Sequence, residues 1–444
     1  MEKLTIRNFV NLKEVDLEIS KINIIIGHQA TGKSLIAKLV YFFKLFFLEY
    51  KKAILKNKTK SQFEKDILEK FELIFPRYAW EKQEFKLSYC FYGYEVYIDN
   101  TLSSNKKYKI CLSYSEKLKD IFTKLRKSYG KKESLEASNS VDLEDLDFKD
   151  LFKEFVSFSS RFEKYLYSIL FESENLQQFD ELTFIPAGRS FFANLQKTVF
   201  SFLSNNMPID YFLKEFGSTY ENVKSMYGFR SNLFKQKIKK QDFSDIDSLI
   251  RQIIIGEYSY QDGQDWICSD KDTKINLANA SSGQQESVPM TVILTTLPFV
   301  ADASQLFVIE EPEAHLFPTA QKNIVNLISL IFNLTHKHHK FIVTTHSPYI
   351  LTAFNNLIQA NNSLQELNSH QDKPTTKVMN ALYKLVPKNQ ILDIADVRAY
   401  TLQNGKLTSI INEESKLIDT NIIDEVSTEF NVVFEKLLEL EYES

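Results

Sequence analysis

Cysteine is scarce in this sequence, which has three among 444 residues, at Cys90, Cys111 and Cys268. Three scattered thiols are too few for a disulfide framework and too far apart for a zinc cluster. This cysteine usage favours a reducing, cytoplasmic setting.

Long apolar runs are also missing. The most apolar segment, Leu39 to Leu48, is interrupted by Lys44 and has about half the ~20 residues that a transmembrane helix needs. The opening "MEKLTIRNFV" lacks the order of basic and then apolar residues that is typical of a secretory signal. We therefore expect neither a membrane anchor nor secretion.

Charge of one sign does not dominate, because the sequence has 54 Lys and Arg residues and 58 Asp and Glu residues, which gives a net charge of -4. Any contact with nucleic acid must therefore come from a local patch. The hydrophobic content of 43% and the charged content of 25% are those of an ordinary globular chain. Its length allows one elaborated domain or two to three smaller ones.

The segment "GHQATGKS" has the spacing of a phosphate-binding loop, Gly27-x-x-x-x-Gly32-Lys33-Ser34, between a predicted buried strand "INIII" and a predicted helix. In such a loop backbone N–H groups surround the phosphates, Lys33 reaches the β- and γ-phosphates, and Ser34 binds Mg²⁺. Nucleotide binding is therefore assigned to Gly27, His28, Gln29, Ala30, Thr31, Gly32, Lys33 and Ser34.

In the segment "LFVIEEPEAHLFP", an apolar strand is followed by two carboxylates, Glu310 and Glu311. Ligands of open α/β sheets bind at the carboxyl ends of the strands, so Glu310 is predicted to hold Mg²⁺ through water and Glu311 to polarise the attacking water. The alternative is a strand that ends in solvated acids before a turn at Pro312.

Two further segments complete the pattern. "FIVTTHSPYIL" brings His346 to the end of another strand, where it could contact the γ-phosphate or the water near it, or could simply cap the strand or lie exposed. "SSGQQE", residues 281 to 286, precedes a predicted helix, whose N-terminal N–H groups could bind an anion or form an ordinary capped helix start.

These four motifs, in this order, resemble the ABC-type ATPase heads of the SMC, RecF and OLD (overcoming lysogenization defect) group. Taken in chain order, "GHQATGKS" resembles the Walker A loop, "SSGQQ" a variant of the signature motif, "VIEEPEAHLFP" the Walker B strand with the dimer-facing loop, and "TTHSP" the switch histidine. The resemblance implies an α/β fold: an ABC-type head with a mixed central sheet flanked by helices, plus an inserted α+β or helical subdomain. Glu310 replaces the usual Walker B aspartate and Gln284 stands where the transporter signature has a second glycine, which weakens a transporter assignment.

The resemblance also implies a mechanism, with ATP and Mg²⁺ as cofactors and Glu311 and His346 as catalytic residues. Ser282, Gly283 and Gln285 of one subunit would close over ATP held by another, so that a homodimer or higher oligomer forms around the nucleotide. Hydrolysis would release the dimer. Mg²⁺ would be held by Ser34 and Glu310.

The pattern along the chain and the resemblance together imply a domain organisation of five segments. They are an N-terminal core part (1–50), an inserted α+β subdomain (51–180), a strand with a helical lid (181–270), the core with signature, Walker B and switch histidine (271–360), and a C-terminal hairpin and helix (361–444). "FIPAGRS" lies where the family has its Q-loop strand, and Asn404-Gly405 is the predicted hairpin turn.

No nuclease centre is expected, because Asp393 and Asp396 have the wrong spacing for the Toprim metal pair of OLD proteins. A head without its own effector resembles the ATPases of the Septu, PARIS and retron-associated anti-phage systems. The resemblance implies an ATPase that controls a separate nuclease or toxin. The alternative is a RecF- or SMC-like ATPase that acts as a DNA clamp in repair or chromosome maintenance.

Two basic clusters are the only sequence feature that suggests DNA binding, and such clusters could equally be solvated faces. The first has Lys117, Lys119, Lys124, Arg126, Lys127, Lys131 and Lys132, and the second has Lys235, Lys237, Lys239 and Lys240. The run "HKHHK", His336 to Lys340, is expected to lie exposed in a turn with no carboxylate near it.

Overall fold

The computed structural model describes residues 2–138, 181–195, 209–230, 238–269, 273–300, 303–369, 376–420 and 432–437. The chain divides into two compact units. The first unit contains Met1–Glu18 and Leu35–Leu182, and the second contains Ile19–Ser34 and Thr183–Ser444. Within the described ranges, no helix combines the length and the apolar character that crossing a membrane requires.

The bounds of the described elements follow in chain order. The strands are β1 (Glu2–Phe9), β2 (Leu12–Glu18), β3 (Ile22–Ile26), β4 (Phe85–Phe91), β5 (Tyr94–Leu102), β6 (Tyr108–Tyr114), β7 (Glu181–Ile185), β8 (Glu257–Gln261), β9 (Gln264–Cys268), β10 (Lys274–Asn276), β11 (Gln305–Glu310), β12 (Lys340–Thr345), β13 (Val397–Gln403), β14 (Lys406–Ser409), β15 (Ile411–Asn412) and β16 (Leu417–Ile418). The helices are α1 (Lys33–Leu55), α2 (Lys60–Ile74), α3 (Glu116–Ser138), α4 (Ser190–Leu195), α5 (Tyr211–Tyr227), α6 (Lys240–Ile254), α7 (Ser282–Leu294), α8 (Leu297–Val300), α9 (Pro318–Leu334), α10 (Pro348–Ser369) and α11 (Thr376–Leu385).

The first unit has an antiparallel sheet of order β6-β5-β4-β1-β2. Its core is rich in aromatic rings because β1, β4, α1 and α2 each contribute phenylalanines. The Phe9 and Phe85 rings lie 4.8 Å apart, and the Phe42 and Phe71 rings lie 5.3 Å apart. Lys44, which interrupts the apolar run, is buried and forms an ion pair with Glu2 at 3.0 Å.

The second unit has a mixed sheet of order β14-β13-β3-β12-β11-β7. The strands β13, β3, β12 and β11 are parallel, and β14 pairs antiparallel with β13 through the hairpin at Asn404-Gly405. All residues of β3, β11 and β12 are buried, as expected for strands covered on both faces. The alternation and apolar runs in the sequence predict these strands correctly.

Helices cover the second unit's sheet through one hydrophobic core. Side chains of β3, β11, β12 and β13 pack there with those of α5, α6, α7, α9 and α10. Burial of this many aliphatic side chains is the main stabilising contribution, at about 25 cal/mol per Å² of apolar surface. The predicted α/β class, with a mixed sheet flanked by helices, is confirmed. The predicted C-terminal helix, 421–440, lies outside the described residues except for 432–437.

Candidate nucleotide-binding site

The loop from Gly27 to Ser34 connects β3 with α1. Ala30 and Gly32 have φ angles of +59° and +106°, so the backbone turns sharply between strand and helix. A Cβ atom at Gly27 would lie 2.7 Å from the Leu402 carbonyl oxygen, and only glycine fits there. The loop is thus packed against β13.

Lys33 folds back over this loop. Its Nζ donates to the carbonyl oxygens of Gly27 at 2.8 Å and His28 at 2.7 Å. Burial lowers the pKa of Lys33, while the nearby carboxylates of Glu311 and Glu313 raise it. The ammonium is therefore held by weak carbonyl acceptors, which a charged phosphate oxygen can replace.

Strand register brings the other motifs to the same edge of the sheet. Thr345 of β12 is opposite Ile26, the last residue of β3, and Glu310 of β11 is opposite Thr344. The phosphate loop, the two glutamates and His346 therefore follow neighbouring parallel strands at their carboxyl ends. This is the edge where open α/β sheets bind ligands.

Glu310 and Glu311 differ in their surroundings. Glu310 is buried, and its Oε2 accepts a hydrogen bond from Ala187 N at 3.3 Å, so it is not a solvated acid. Glu311 is part-exposed and has a φ of +43°. Its N–H donates to the Thr344 carbonyl oxygen at 2.8 Å. A non-glycine residue in this left-handed conformation costs of the order of 1–3 kcal/mol and is typical of functional sites.

Arg189 is a residue that sequence reasoning did not assign to the site. Its side chain is 0% exposed, and its guanidinium donates to the carbonyl oxygens of Pro186, Glu286, Glu310 and Glu311 at 2.8 to 3.0 Å. Burial lowers its pKa, and the neighbouring glutamates, Glu286 first, raise it. The sequence feature that could have identified Arg189 is its position directly after a buried strand and a Pro-Ala-Gly turn.

Glu286 on α7 is the partner of Arg189. One carboxylate oxygen accepts from Arg189 N at 2.9 Å and the other from Ser190 N at 3.1 Å, and Oε2 lies 3.3 Å from Arg189 Nε. Because the same guanidinium binds the carbonyl oxygens at the end of β11, this pair connects α7 to the strand that carries Glu310 and Glu311.

The segment from Ser281 to Gln285 forms the start of α7. Ser281 and Gln284 form a reciprocal capping box, and the Gln285 amide donates to the carbonyl oxygens of Ala278 and Ala280 at 3.2 Å. Ser282 is exposed. A Cβ atom at Gly283 would lie 2.8 Å from the His315 carbonyl oxygen, so the glycine allows α7 to approach the loop after β11.

His346 follows β12 and is 37% exposed. Its Nδ1 lies 3.3 Å from Glu313 Oε1 and 3.8 Å from Glu311 Oε1. Glu313, a second residue that sequence reasoning did not assign, also accepts from His346 N at 2.8 Å. The main chain of His346 is thus bonded to Glu313, and its imidazole lies beside Glu313 and Glu311.

The oxygen donors at this edge suit Mg²⁺. Ser34 lies at the start of α1 and Glu310 at the end of β11, and hydroxyl, carboxylate and phosphate oxygens are the ligands that Mg²⁺ prefers. Among the described residues no group of three or more His, Cys, Asp or Glu side chains forms a metal site.

The "HKHHK" run is not uniformly exposed, and that prediction was wrong. His339 is 1% exposed; its Nδ1 accepts from Gln305 N at 3.1 Å. Lys340, the first residue of β12, is also buried. Lys337 forms an ion pair with Asp396 at 2.5 Å, so a carboxylate is present. Sequence alone could not show that β12 begins within this run.

The basic clusters are only partly described. Lys117, Lys124 and Lys127 are exposed on α3, whereas Lys119 pairs with Glu116 at 2.6 Å. Lys239 and Lys240 are exposed at the start of α6. The side chains of Lys131 and Lys132, and the residues Lys235 and Lys237, lie outside what the structure describes.

A comparison with protein families matches residues 1–351 to the model described as "AAA ATPase domain". The chain belongs to the AAA ATPase domain family. The matched residues include the phosphate loop, the acidic strand and His346, so the family assignment and the site geometry concern the same segment. A comparison with curated proteins gives no match.

Solved structures similar to this AAA ATPase domain protein include heads of SMC proteins and RecF. An Smc head bound to the C-winged helix domain of ScpA has 12% identity over 93% of this chain and 98% of that chain, with a TM-score of 0.39. The SMC head domain from Thermotoga maritima has 13% identity over 92% and 97%, with a TM-score of 0.33. The recombination mediator protein RecF has 11% identity over 92% and 97%, with a TM-score of 0.30.

Proposed function

We propose that the second unit binds ATP and hydrolyses it to ADP and phosphate, as an ABC-type head does. The observation that carries this proposal is the meeting of the phosphate loop, Glu310, Glu311 and His346 at one edge of a parallel sheet. Each motif alone has an ordinary structural explanation, but their convergence beside a phosphate-binding loop favours phosphoryl transfer to water.

The roles follow from the contacts. Lys33 exchanges the carbonyl oxygens of Gly27 and His28 for phosphate oxygens. Ser34 and Glu310 would hold Mg²⁺, which would supply positive charge beside the phosphates. Glu311, held in position through its backbone, orients and polarises the attacking water, and His346 contacts the γ-phosphate or that water.

We test nucleotide binding with Lys33→Ala and, as the control, Lys322→Ala, an exposed lysine on α9. Calorimetric titration with ATP should show at least a hundredfold weaker binding by Lys33→Ala, because the phosphate charge loses its only loop cation. Lys322→Ala should bind as the wild type does. Equal affinities for both variants would refute the assignment of the loop.

The proposal extends to dimerisation around ATP. Ser282 is exposed at the N-terminus of α7, where backbone N–H groups can donate hydrogen bonds to an anion. Ser282, Gly283 and Gln285 would close over ATP held by a second copy. The Gln285 amide is bonded within its own chain, so its contribution would come from the backbone. Light scattering of Glu311→Gln should show twice the monomer mass with ATP and the monomer mass without it.

The biological role that we propose is control of a separate effector, a nuclease or toxin, in anti-phage defence. Support comes from the resemblance of "IPAGRS" and "EEPEAHLFP" to stand-alone defence ATPases. The alternative is a RecF- or SMC-like DNA clamp, which the exposed lysines of α3 favour. Purifying Glu311→Gln with ATP from its host separates the two: a stoichiometric nuclease or toxin supports defence, and DNA alone supports the clamp.

A further inference from the structure

Glu313 is a buried carboxylate that the mechanism above does not use. Its side chain is 2% exposed, and its Oε1 accepts hydrogen bonds from Thr345 Oγ1 at 2.7 Å and His346 N at 2.8 Å. Its Oε2 has no hydrogen-bond partner in the described part of the chain. Burying a carboxylate in this way is costly unless its few partners are held firmly.

Within the described residues, both hydrogen bonds that the Glu313 side chain accepts lead toward His346. The two donors to Oε1 come from His346 and from the residue before it, and the imidazole Nδ1 lies 3.3 Å from the same oxygen. A carboxylate only accepts hydrogen bonds, so a contact with it favours a proton on Nδ1. Nε2 is then the imidazole nitrogen that remains for the nucleotide.

A chain of hydrogen bonds continues from this point to the loop after β11. Thr345 Oγ1 accepts from Ser347 N at 3.0 Å, Ser347 Oγ donates to Gln321 Oε1 at 2.5 Å, and Gln321 Nε2 donates to the Leu316 carbonyl oxygen at 2.9 Å. The main chain around His346 is therefore held from both sides. The imidazole is part-exposed, but the backbone to which it is attached is fixed.

We propose that Glu313 is a positioning residue that acts through His346, by fixing the main chain and the Nδ1 side of the imidazole so that Nε2 faces the γ-phosphate region. The inference rests on the proposed function of His346. Glu313 itself does not touch the nucleotide. Removing its charge weakens the contact beside the imidazole Nδ1 and takes away one of the carboxylates that raise the pKa of Lys33, while the backbone of the phosphate loop is unchanged.

The test is a double-mutant cycle of Glu313→Gln and His346→Ala, read as the single-turnover rate of ATP hydrolysis and as ATP affinity. Glutamine keeps an oxygen for Thr345 and His346 N and loses the charge. We expect Glu313→Gln to lower the rate about tenfold or more with ATP affinity unchanged within twofold, as orienting partners do. In the His346→Ala background the same change should alter the rate less than twofold.

Asp265→Asn is the matched control, because Asp265 is another fully buried carboxylate of the second unit, bonded to Tyr258 Oη at 2.5 Å. It should leave the rate within twofold of the wild type. If Glu313→Gln does not fold, Glu313→Asp keeps the charge but shortens the reach, and the same non-additivity is expected. Equal losses in both backgrounds would overturn the positioning role while leaving ATP binding at Lys33 intact.

Nitrogen-15 NMR of labelled histidine provides a readout besides activity. His346→Ala identifies the His346 signals. We expect the wild type to show a protonated Nδ1 at His346, and Glu313→Gln to shift that signal and no other histidine's. An unchanged His346 Nδ1 signal would overturn the inference, whereas full turnover by His346→Ala would contradict both this inference and the role proposed for His346.

Discussion

The guanidinium of Arg189 donates from Nη2 to the carbonyl oxygen of Glu311 at 3.0 Å, and Glu311 is the residue whose backbone adopts a φ of +43°. The same guanidinium holds the Glu310 carbonyl oxygen at 2.8 Å and lies against the Glu286 carboxylate. A single buried cation thus stabilises the strained end of β11 and connects it to α7.

Arg189→Met is expected to destabilise the protein by about 3–5 kcal/mol, because the Glu286 charge is left buried without its partner. Urea unfolding followed by circular dichroism measures the loss. Arg251→Met is the control: Arg251 pairs with Glu257 at the surface, with both side chains 60% exposed, and should cost less than about 1 kcal/mol. A loss below 1 kcal/mol for Arg189→Met would contradict the structural role given to the pair.

Gly27→Ala tests the close packing of the phosphate loop. The new methyl group would meet the Leu402 carbonyl oxygen at 2.7 Å, and relief of such overpacking costs about 1–3 kcal/mol. We expect lower stability together with ATP affinity reduced at least tenfold, measured by thermal unfolding and titration. Gly228→Ala has open space around its Cβ and should change neither quantity.

Ser34→Ala tests the predicted Mg²⁺ ligand. Loss of one ligand oxygen worth about 1.4 kcal/mol should raise the Mg²⁺ concentration needed for half-maximal hydrolysis about tenfold. The measurement is a Mg²⁺ titration of turnover at saturating ATP. Ser225→Ala, which removes an exposed hydroxyl on α5, should leave the Mg²⁺ requirement unchanged, and an unchanged requirement in Ser34→Ala would exclude Ser34 as a ligand.

Local sequence predicts most of the elements that form the site. Strands β3, β11 and β12 are continuous apolar runs that end at glycine or at acidic and hydroxyl residues, and each helix after them combines buried apolar residues with exposed polar ones. The hairpin at Asn404-Gly405 follows from its turn residues. The phosphate loop could be placed because its spacing and its flanking elements agree.

Contacts between distant segments could not be predicted. Arg189 and Glu286 are 97 residues apart, and each looks like an ordinary charged residue in its own segment. Glu313 stands in an acidic, turn-like stretch, yet it is buried because Thr345 and His346 come back to it from β12. The pairing of β4 with β1 in the first unit is likewise a long-range choice that local periodicity does not determine.

The central claim is that Glu311 polarises the water that attacks ATP bound at the phosphate loop. The most direct measurement compares phosphate release in a single turnover by the wild type and by Glu311→Gln, with ATP affinity measured for both. We predict that Glu311→Gln binds ATP as tightly as the wild type and releases phosphate at least a hundredfold more slowly, because the attacking water loses its base. Wild-type phosphate release by Glu311→Gln would contradict the account.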